Sequence, residues 1–311
     1  MNIGIDIGGT KCAVVLGDAN GIVKKIRFAT TNYTETMENI CSAVREMGEC
    51  DAIGISCGGP LDSKKGIIMS PPNLPGWDNI PITKMLSEEF GVPVTLCNDA
   101  DACALAEWKY GAGKGTENMI FLTFGTGMGA GLILNGKLYS GTNGMAGEIG
   151  HMRIEKFGPV GYGKSGSFEG FCSGGGIAQI GQMLIREKLQ MGECLPYCKN
   201  LKELNGITAK ILAEYAYQGD ETALETYRIC GEMLGRGLAV LVDILNPERI
   251  VIGSIFARAE ILLRPHMENT LKREALAFSY ETCRIVPAAL GDAIGDYAAL
   301  AVAEQHGKGT K

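Results

Sequence analysis

Two short glycine-rich segments offer backbone donors for an anion. Asp6–Lys11 reads Asp-Ile-Gly-Gly-Thr-Lys, and Thr123–Gly129 alternates glycine with other residues. Glycine lets backbone N–H groups approach phosphate oxygens without a Cβ in the way, while Thr10 and Lys11 add a hydroxyl donor and a cation. Alone, each segment is more typical of a plain turn. As a pair, they indicate two loops that bind one polyphosphate, and neither has the Walker A or Rossmann spacing.

Carboxylates at the ends of predicted strands are candidates for the chemistry itself. Asp6 lies at the end of an apolar strand, where it could hold hydrated Mg²⁺, an ion that needs only one or two protein carboxylates. Asn98 and Asp99 end a second apolar strand, and open α/β sheets place their chemistry at such carboxyl ends. Asp99 is therefore a candidate general base toward a hydroxyl. The alternative is that Asn98 or Asp99 is an ordinary helix N-cap.

Two further segments carry groups suited to a ligand rich in hydroxyls. Gly147–His151 contains Glu148 and His151, and Glu169 follows at a distance; all three side chains accept directed hydrogen bonds. The alternative for His151 is a structural histidine. Asn73–Trp77 is typical of a rigid sugar-binding loop, and equally of any surface loop.

The elements that must position these residues occur twice. A strand over Ile3–Ile7, a glycine turn and a return strand over Lys11–Leu16 open the chain. A similar strand–turn–strand unit begins at Met119, and its Thr123 lies 117 residues after Asp6. This repetition predicts a duplicated fold with a cleft between its halves.

Strands followed by helices predict an α/β protein. The other expected strands are Ile22–Phe28, Ala52–Cys57, Val92–Cys97, Ile250–Ile252 and Arg284–Val286; the expected helices are Thr34–Gly48 (capped by Thr34), Asp101–Tyr110 and stretches near 173–190, 221–245, 257–273 and 293–305. Residues 307–311 are predicted to fray.

Composition excludes several classes of protein. The 311 residues carry a net charge of −6 and no basic run, so we expect no nucleic-acid partner. Glycines interrupt the uncharged stretch 118–136, so we expect no membrane span. Eleven cysteines without a signal peptide predict reduced thiols and a cytoplasmic location.

In this order, the motifs resemble those of the ROK family of sugar kinases and repressors, within the hexokinase–actin–Hsp70 superfamily. The resemblance spans almost the whole chain. It rests on Asp6–Lys11, Ile55–Pro60, Asn73–Trp77, Asn98–Ala100, Gly125–Gly131, Gly147–His151 and Gly291–Gly295.

The resemblance implies a duplicated actin-like (ribonuclease H-like) ATPase fold of two domains. The small one would comprise residues 1–112, completed by a C-terminal helix near 292–307, and the large one residues 113–291. The implied activity is ATP-dependent phosphorylation of a hexose at O6, with glucose favoured. N-acetylmannosamine, fructose, allose or a β-glucoside are alternatives, and a non-catalytic sugar sensor is the alternative of another class. The family's repressors carry a DNA-binding domain ahead of the first strand, and we expect none here.

The resemblance also assigns roles residue by residue. Asp99 would be the catalytic base. Gly59, Asn73, Asn98, Glu148, His151 and Glu169 would bind the sugar. Asp6, Gly8, Gly9, Thr10, Lys11, Thr123, Gly125, Thr126, Gly127, Gly253 and Ser254 would bind ATP, with Asp6 holding Mg²⁺ through water. A homodimer is expected. The apolar residues of the predicted helix over 174–191 could form its interface, but burial of this face in the core of the chain is the more common arrangement.

One departure concerns a zinc-binding loop. Members of the family usually have three cysteines where this chain has Val160, Tyr162 and Ser167, so only His151 of the usual ligand set remains. Valine cannot bind zinc, and neutral tyrosine or serine binds it poorly. We therefore expect no structural zinc, with the loop held instead by packing of Phe157, Tyr162 and Phe168.

Overall fold

A computed structural model of the chain describes residues 1–18 and 20–305. Its strands are β1 (Asn2–Ile7), β2 (Lys11–Asp18), β3 (Gly21–Ala29), β4 (Ile53–Cys57), β5 (Leu61–Asp62), β6 (Ile67–Ile68), β7 (Val94–Asn98), β8 (Met119–Phe124), β9 (Met128–Leu134), β10 (Lys137–Leu138), β11 (Val160–Gly161), β12 (Lys164–Ser165), β13 (Arg249–Ile252) and β14 (Arg284–Pro287). The residues predicted to fray, 307–311, lie outside the described part.

The two main sheets have the same strand order. The first is β3-β2-β1-β4-β7 and the second is β10-β9-β8-β13-β14. In each, a glycine turn joins the central strand to its neighbour in an opening strand–turn–strand unit, and the two strands beyond the centre come from later in the chain. In the first sheet β1 pairs antiparallel with β2 and parallel with β4. The predicted duplication is thus confirmed.

The helices are α1 (Tyr33–Met47), α2 (Ile82–Phe90), α3 (Asp99–Tyr110), α4 (Phe168–Phe171), α5 (Gly174–Gln190), α6 (Ala209–Tyr217), α7 (Glu221–Leu245), α8 (Ile255–Glu274), α9 (Ala277–Thr282) and α10 (Ile294–Ala303). Prediction located α1, α3, α5, α7, α8 and α10. It missed α2, whose N-cap Pro81 makes no side-chain capping bond, and also the short α4, α6 and α9. It also misplaced the α1 cap, because Asn32 rather than Thr34 accepts the Glu35 N–H at 3.0 Å.

Contacts group the described residues into two compact units. The first comprises Met1–Phe121, Gly131–Ala146 and the residues from Ala289 onward; the second comprises Leu122–Ala130 and Gly147–Ala288. In the first unit, α10 packs directly on the sheet because Gly4 leaves room for its backbone: a Cβ there would lie 2.7 Å from the Leu300 nitrogen.

Glu107 is a fully buried carboxylate in the first unit. It accepts the backbone N–H groups of Ala112 at 2.7 Å, Ala289 at 3.2 Å and Leu290 at 2.9 Å. The end of α3 is thereby tied to the segment that leads into α10. Three bonds to one carboxylate satisfy three donors at once, so their loss leaves several groups unpaired.

We therefore expect Glu107→Ala to lower the free energy of unfolding by about 3 kcal/mol or more, measured by urea denaturation. Glu88 is the control, since it is exposed and its ion pair with Lys84 is long, at 3.8 Å. Glu88→Ala should change stability by less than about 0.5 kcal/mol. Equal effects of the two substitutions would contradict this role for Glu107.

Among the described residues, no helix combines the length and apolar character needed to cross a membrane.

Candidate active site

The first glycine-rich loop forms the turn between β1 and β2. It is closed by a hydrogen bond from the Gly8 N–H to the Lys11 carbonyl at 3.2 Å. Thr30, which follows β3, supports this loop. Its hydroxyl donates to the Gly8 carbonyl at 2.6 Å, and its N–H donates to the Thr10 carbonyl at 3.0 Å. Sequence reasoning missed Thr30, which only the β2–β3 pairing brings beside the loop.

Gly9 lies against the predicted sugar-binding loop. A Cβ at Gly9 would be 2.7 Å from both the Cβ and the carbonyl oxygen of Asn73, so the two loops are in backbone contact. Trp77 anchors the second loop: its side chain is fully buried and meets the Tyr33 ring edge-on, with centroids 5.3 Å apart. Trp77 therefore belongs to the core, and Asn73 lies beside the first glycine-rich loop.

Asp6 is a carboxylate in an acidic environment. Burial, together with the charges of Asp296 and Asp99, raises its pKa to about 6, although a hydrogen bond from Ser56 and the charge of Lys11 act in the opposite direction. Asp296 stands on α10, directly after Gly295, whose backbone approaches so closely that a Cβ would be 2.8 Å from Asp6 Oδ2. Such a carboxylate favours binding of a proton or a cation.

Lys25 forms an ion pair with Asp296 and so offsets part of this acidic charge. Sequence reasoning missed Asp296 and Ser56. Asp296 immediately follows the Gly291–Gly295 motif, which was the available signal. Ser56 on β4 lies opposite Asp6 in the parallel register of the sheet.

Asn98 and Asp99 lie where β7 meets α3. Asn98 Oδ1 accepts the Ala100 N–H at 3.0 Å, which confirms the helix-cap interpretation, and Asp99 Oδ1 accepts the same N–H at 2.8 Å. Gly58 and Gly59 face this pair, because their Cβ atoms would lie 3.8 Å from Asp99 Oδ2 and 3.6 Å from Asn98 Nδ2. The first unit thus brings together the predicted glycines, amide and carboxylates.

The second glycine-rich loop forms the turn between β8 and β9. The Thr123 hydroxyl accepts the Gly129 N–H at 3.0 Å. The Gly125 N–H donates to the Gly127 carbonyl at 3.1 Å, and both bonds close the loop. Ser254 is a neighbour, since a Cβ at Gly125 would lie 3.6 Å from its hydroxyl. Gly253 and Ser254 therefore lie beside this loop, and Thr126 is exposed at its tip.

Glu169 has a contact that the sequence did not predict. Its Oε2 accepts the Met128 N–H at 3.0 Å and would lie 2.8 Å from a Cβ at Gly127. One carboxylate oxygen therefore steadies the second glycine-rich loop, and a carboxylate retains further acceptor positions for a ligand. Nearby, the exposed Glu148 precedes the short 3₁₀ turn Ile149–His151. The exposed His151 ends this turn and meets the Tyr162 ring edge-on, with centroids 5.0 Å apart.

The loop that would carry zinc does not have the residues for it. Ser167 caps α4, with its hydroxyl accepting the Gly170 N–H at 3.0 Å, while Val160 has no ligand atom. In the described residues, no cluster of three His, Cys, Asp or Glu side chains suits a metal ion. The predicted packing is correct for buried Phe168 and wrong for Phe157 and Tyr162, which are 75% and 81% exposed because hydrogen bonds shape this hairpin instead.

The repeated strand order and the paired glycine turns define a duplicated, two-domain actin-like ATPase fold. The sequence profile of the ROK family matches residues 2–306. The chain belongs to the ROK family.

Three relatives illustrate the match. A glucokinase of Halalkalibacterium halodurans is 36% identical over 279 residues, covering 85% of this chain and 83% of its own. An N-acetylmannosamine kinase of Escherichia coli is 32% identical over 282 residues, covering 89% and 90%. The crystal structure of a ROK family glucokinase from Streptomyces griseus with glucose and AMPPNP is 29% identical, with a TM-score of 0.75 over 98% of this chain and 99% of that one.

Proposed function

We propose that this chain, an ATP-dependent sugar kinase of the ROK family, transfers the γ-phosphoryl group of ATP to O6 of a hexose, with glucose as the first choice. The observation that carries the proposal is the first unit's acidic site: Asp99 opens α3 at the end of β7, beside Gly58 and Gly59 and within electrostatic reach of Asp6. A carboxylate so placed is suited to accept a proton from a hydroxyl.

Phosphoryl transfer needs mainly positioning and neutralisation of charge. We assign backbone N–H groups of Gly8–Lys11 and Gly125–Gly127 to the phosphates, and Gly253 and Ser254 to the adenosine. We assign the sugar hydroxyls to Gly59, Asn73, Asn98, Glu148, His151 and Glu169. Asp99 would take the proton of O6 as that oxygen attacks the γ-phosphorus.

The acidic environment of Asp6 fits Mg²⁺. Its raised pKa arises from burial and from neighbouring carboxylates, and a divalent cation relieves both effects. Asp6 would hold the ion through water, in keeping with the preference of Mg²⁺ for few protein ligands. When bound, the ion would neutralise charge on the β- and γ-phosphates.

An N-acetylmannosamine kinase is the second candidate, since a relative of that name is 32% identical over most of the chain. Initial rates of ADP release in a coupled assay separate the candidates. The panel would contain glucose, N-acetylmannosamine, fructose, allose and a β-glucoside. We expect the highest kcat/KM with glucose. If no sugar of the panel raised ADP release above the sugar-free rate, the proposed kinase activity would be contradicted and a non-catalytic sugar sensor favoured.

Replacing Gly9 tests the phosphate-binding role of the first loop. Since a Cβ would lie 2.7 Å from Asn73 backbone and side-chain atoms, Gly9→Ala must shift the turn. We expect the KM for ATP to rise at least about tenfold, because misplaced backbone donors lose phosphate contacts. Gly206 is the control, since a Cβ there meets nothing within 4 Å. An unchanged KM in Gly9→Ala would contradict the assignment.

The remaining assignments extend the same proposal. We place the enzyme in the cytoplasm, with ATP and sugar as its partners, no nucleic acid and a second copy of the chain in a homodimer. Ile177 and Ile180 of α5 are buried in the core, whereas Met183 on the same helix is 57% exposed. The core interpretation of this helix is thus confirmed for Ile177 and Ile180.

A further inference from the structure

Gln179 joins the hairpin of β11 and β12 to helix α5. Its Nε2 donates to the Val160 carbonyl at 2.9 Å, and its Oε1 accepts the Val160 N–H at 2.9 Å. A primary amide has the donor and acceptor of a peptide group, so this pair resembles one rung of a β-ladder. A third bond, from Nε2 to the Gly175 carbonyl at 3.3 Å, fixes the side chain on its own helix.

The hairpin in turn lies against Glu169. A Cβ at Gly161, the residue after Val160, would be 2.5 Å from the Gly170 nitrogen and 2.9 Å from the Glu169 Cβ. The backbones are therefore in direct contact, and a shift of Val160 is passed to Glu169. Glu169 then reaches the second glycine-rich loop through its bond to the Met128 N–H.

Other bonds close the loop on itself. The Gly166 N–H donates to the Pro159 carbonyl at 2.9 Å, and the Ile154 N–H donates to the Gly166 carbonyl at 2.9 Å. These bonds set the shape of the hairpin. The Gln179 pair differs because it ties that shape to α5, a helix whose face toward the core includes the buried Ile177 and Ile180.

We propose that Gln179 is a positioning residue, which holds the hairpin of β11 and β12 against Glu169 through its amide and without a metal ion. The donor set supports this reading, because Val160, Tyr162 and Ser167 do not form a zinc site, and the Ser167 hydroxyl is engaged in capping α4. In its effect on sugar binding, the proposal rests on the proposed function, since it assumes that Glu169 binds a sugar hydroxyl.

Trypsin provides the first test, because Lys156 and Lys164 lie in this loop. Gln179→Leu removes both bonds to Val160, and we expect cleavage after these lysines to become about tenfold faster, as local opening becomes easier. Gln182→Leu is the control: it lies on the same helix and loses only a 3.4 Å bond to the Ile207 carbonyl. Gln179→Glu keeps the acceptor for the Val160 N–H but turns a carboxylate oxygen toward the Val160 carbonyl, so it should also speed cleavage.

Kinetics and metal content complete the test. We expect Gln179→Leu to raise the sugar KM severalfold with kcat nearly unchanged, a split that general unfolding does not produce. Purified wild-type protein should contain far less than one zinc per chain by elemental analysis. The proposal would be overturned if trypsin cleaved Gln179→Leu no faster than Gln182→Leu, or if the purified wild-type protein contained about one zinc per chain. If the wild-type protein phosphorylated no sugar, the proposed function would fail while cleavage and metal content still decided the role of Gln179.

Discussion

Asp99→Asn is expected to lower kcat for the sugar by ~1,000-fold, the scale of a lost general base. Asparagine keeps the size of the side chain and an oxygen for the Ala100 N–H, so α3 should form as before. It cannot accept a proton from a hydroxyl. Because nucleotide binding is assigned to the glycine-rich loops, the Kd for an ATP analogue should stay within about twofold of the wild-type value.

Steady-state kinetics and calorimetric titration measure the two quantities. Asp51→Asn serves as the matched control, since Asp51 is exposed and pairs with the N-terminal ammonium group. It should leave kcat unchanged. A kcat within about tenfold of wild type in Asp99→Asn would remove Asp99 as the base. Equal losses of kcat and of nucleotide affinity would indicate a structural role instead.

Asp6→Asn is expected to increase stability and abolish most activity. The folded pKa of Asp6, about 6, lies above its ordinary value of 3.8. The favourable contribution of protonated Asp6 is therefore complete below about pH 4 and is lost as pH rises through about 6. In metal-free buffer at pH 8 the ionised carboxylate costs up to about 3 kcal/mol, which asparagine does not incur.

Urea denaturation at pH 8 and pH 4 checks this expectation: Asp6→Asn should have a higher free energy of unfolding than wild type at pH 8 and not at pH 4. Asp62→Asn is the control. Hydrogen bonds from Lys65 lower the pKa of Asp62, so this substitution should decrease stability at pH 8 where Asp6→Asn increases it. Turnover of Asp6→Asn should fall about 100-fold or more, since charge neutralisation at the phosphates is lost. A variant that is no more stable than wild type at pH 8 would contradict the electrostatic account of Asp6.

Long periodic helices were predictable from sequence, whereas the short helices α2, α4, α6 and α9 were not. Helix α7 has the predicted bounds Glu221–Leu245 because its apolar residues repeat over many turns. Helix α2 escaped prediction because it has nine residues and begins after Pro81 without a capping side chain. The glycine turns were predictable since glycine between strands has few other uses.

The supporting residues of the site were beyond sequence reasoning. Thr30, Ser56 and Asp296 reach the first loop or Asp6 only through strand pairing and the packing of α10. Gln179 stands on a helix that the sequence predicts, yet nothing in the sequence pairs it with Val160, 19 residues away. Glu169 was predicted as a sugar ligand, and its bond to Met128 depends on a turn 41 residues earlier. Tertiary contacts of this kind leave no local pattern.

The decisive experiment is a crystal structure of the protein with glucose and a non-hydrolysable ATP analogue. We expect an Asp99 carboxylate oxygen about 3 Å from the sugar O6, with O6 directed at the γ-phosphorus. We also expect backbone N–H groups of Gly8–Lys11 and Gly125–Gly127 to donate to the phosphate oxygens. An Asp99 side chain out of hydrogen-bond reach of every sugar hydroxyl, or a glycine-rich loop with no phosphate contact, would contradict these expectations.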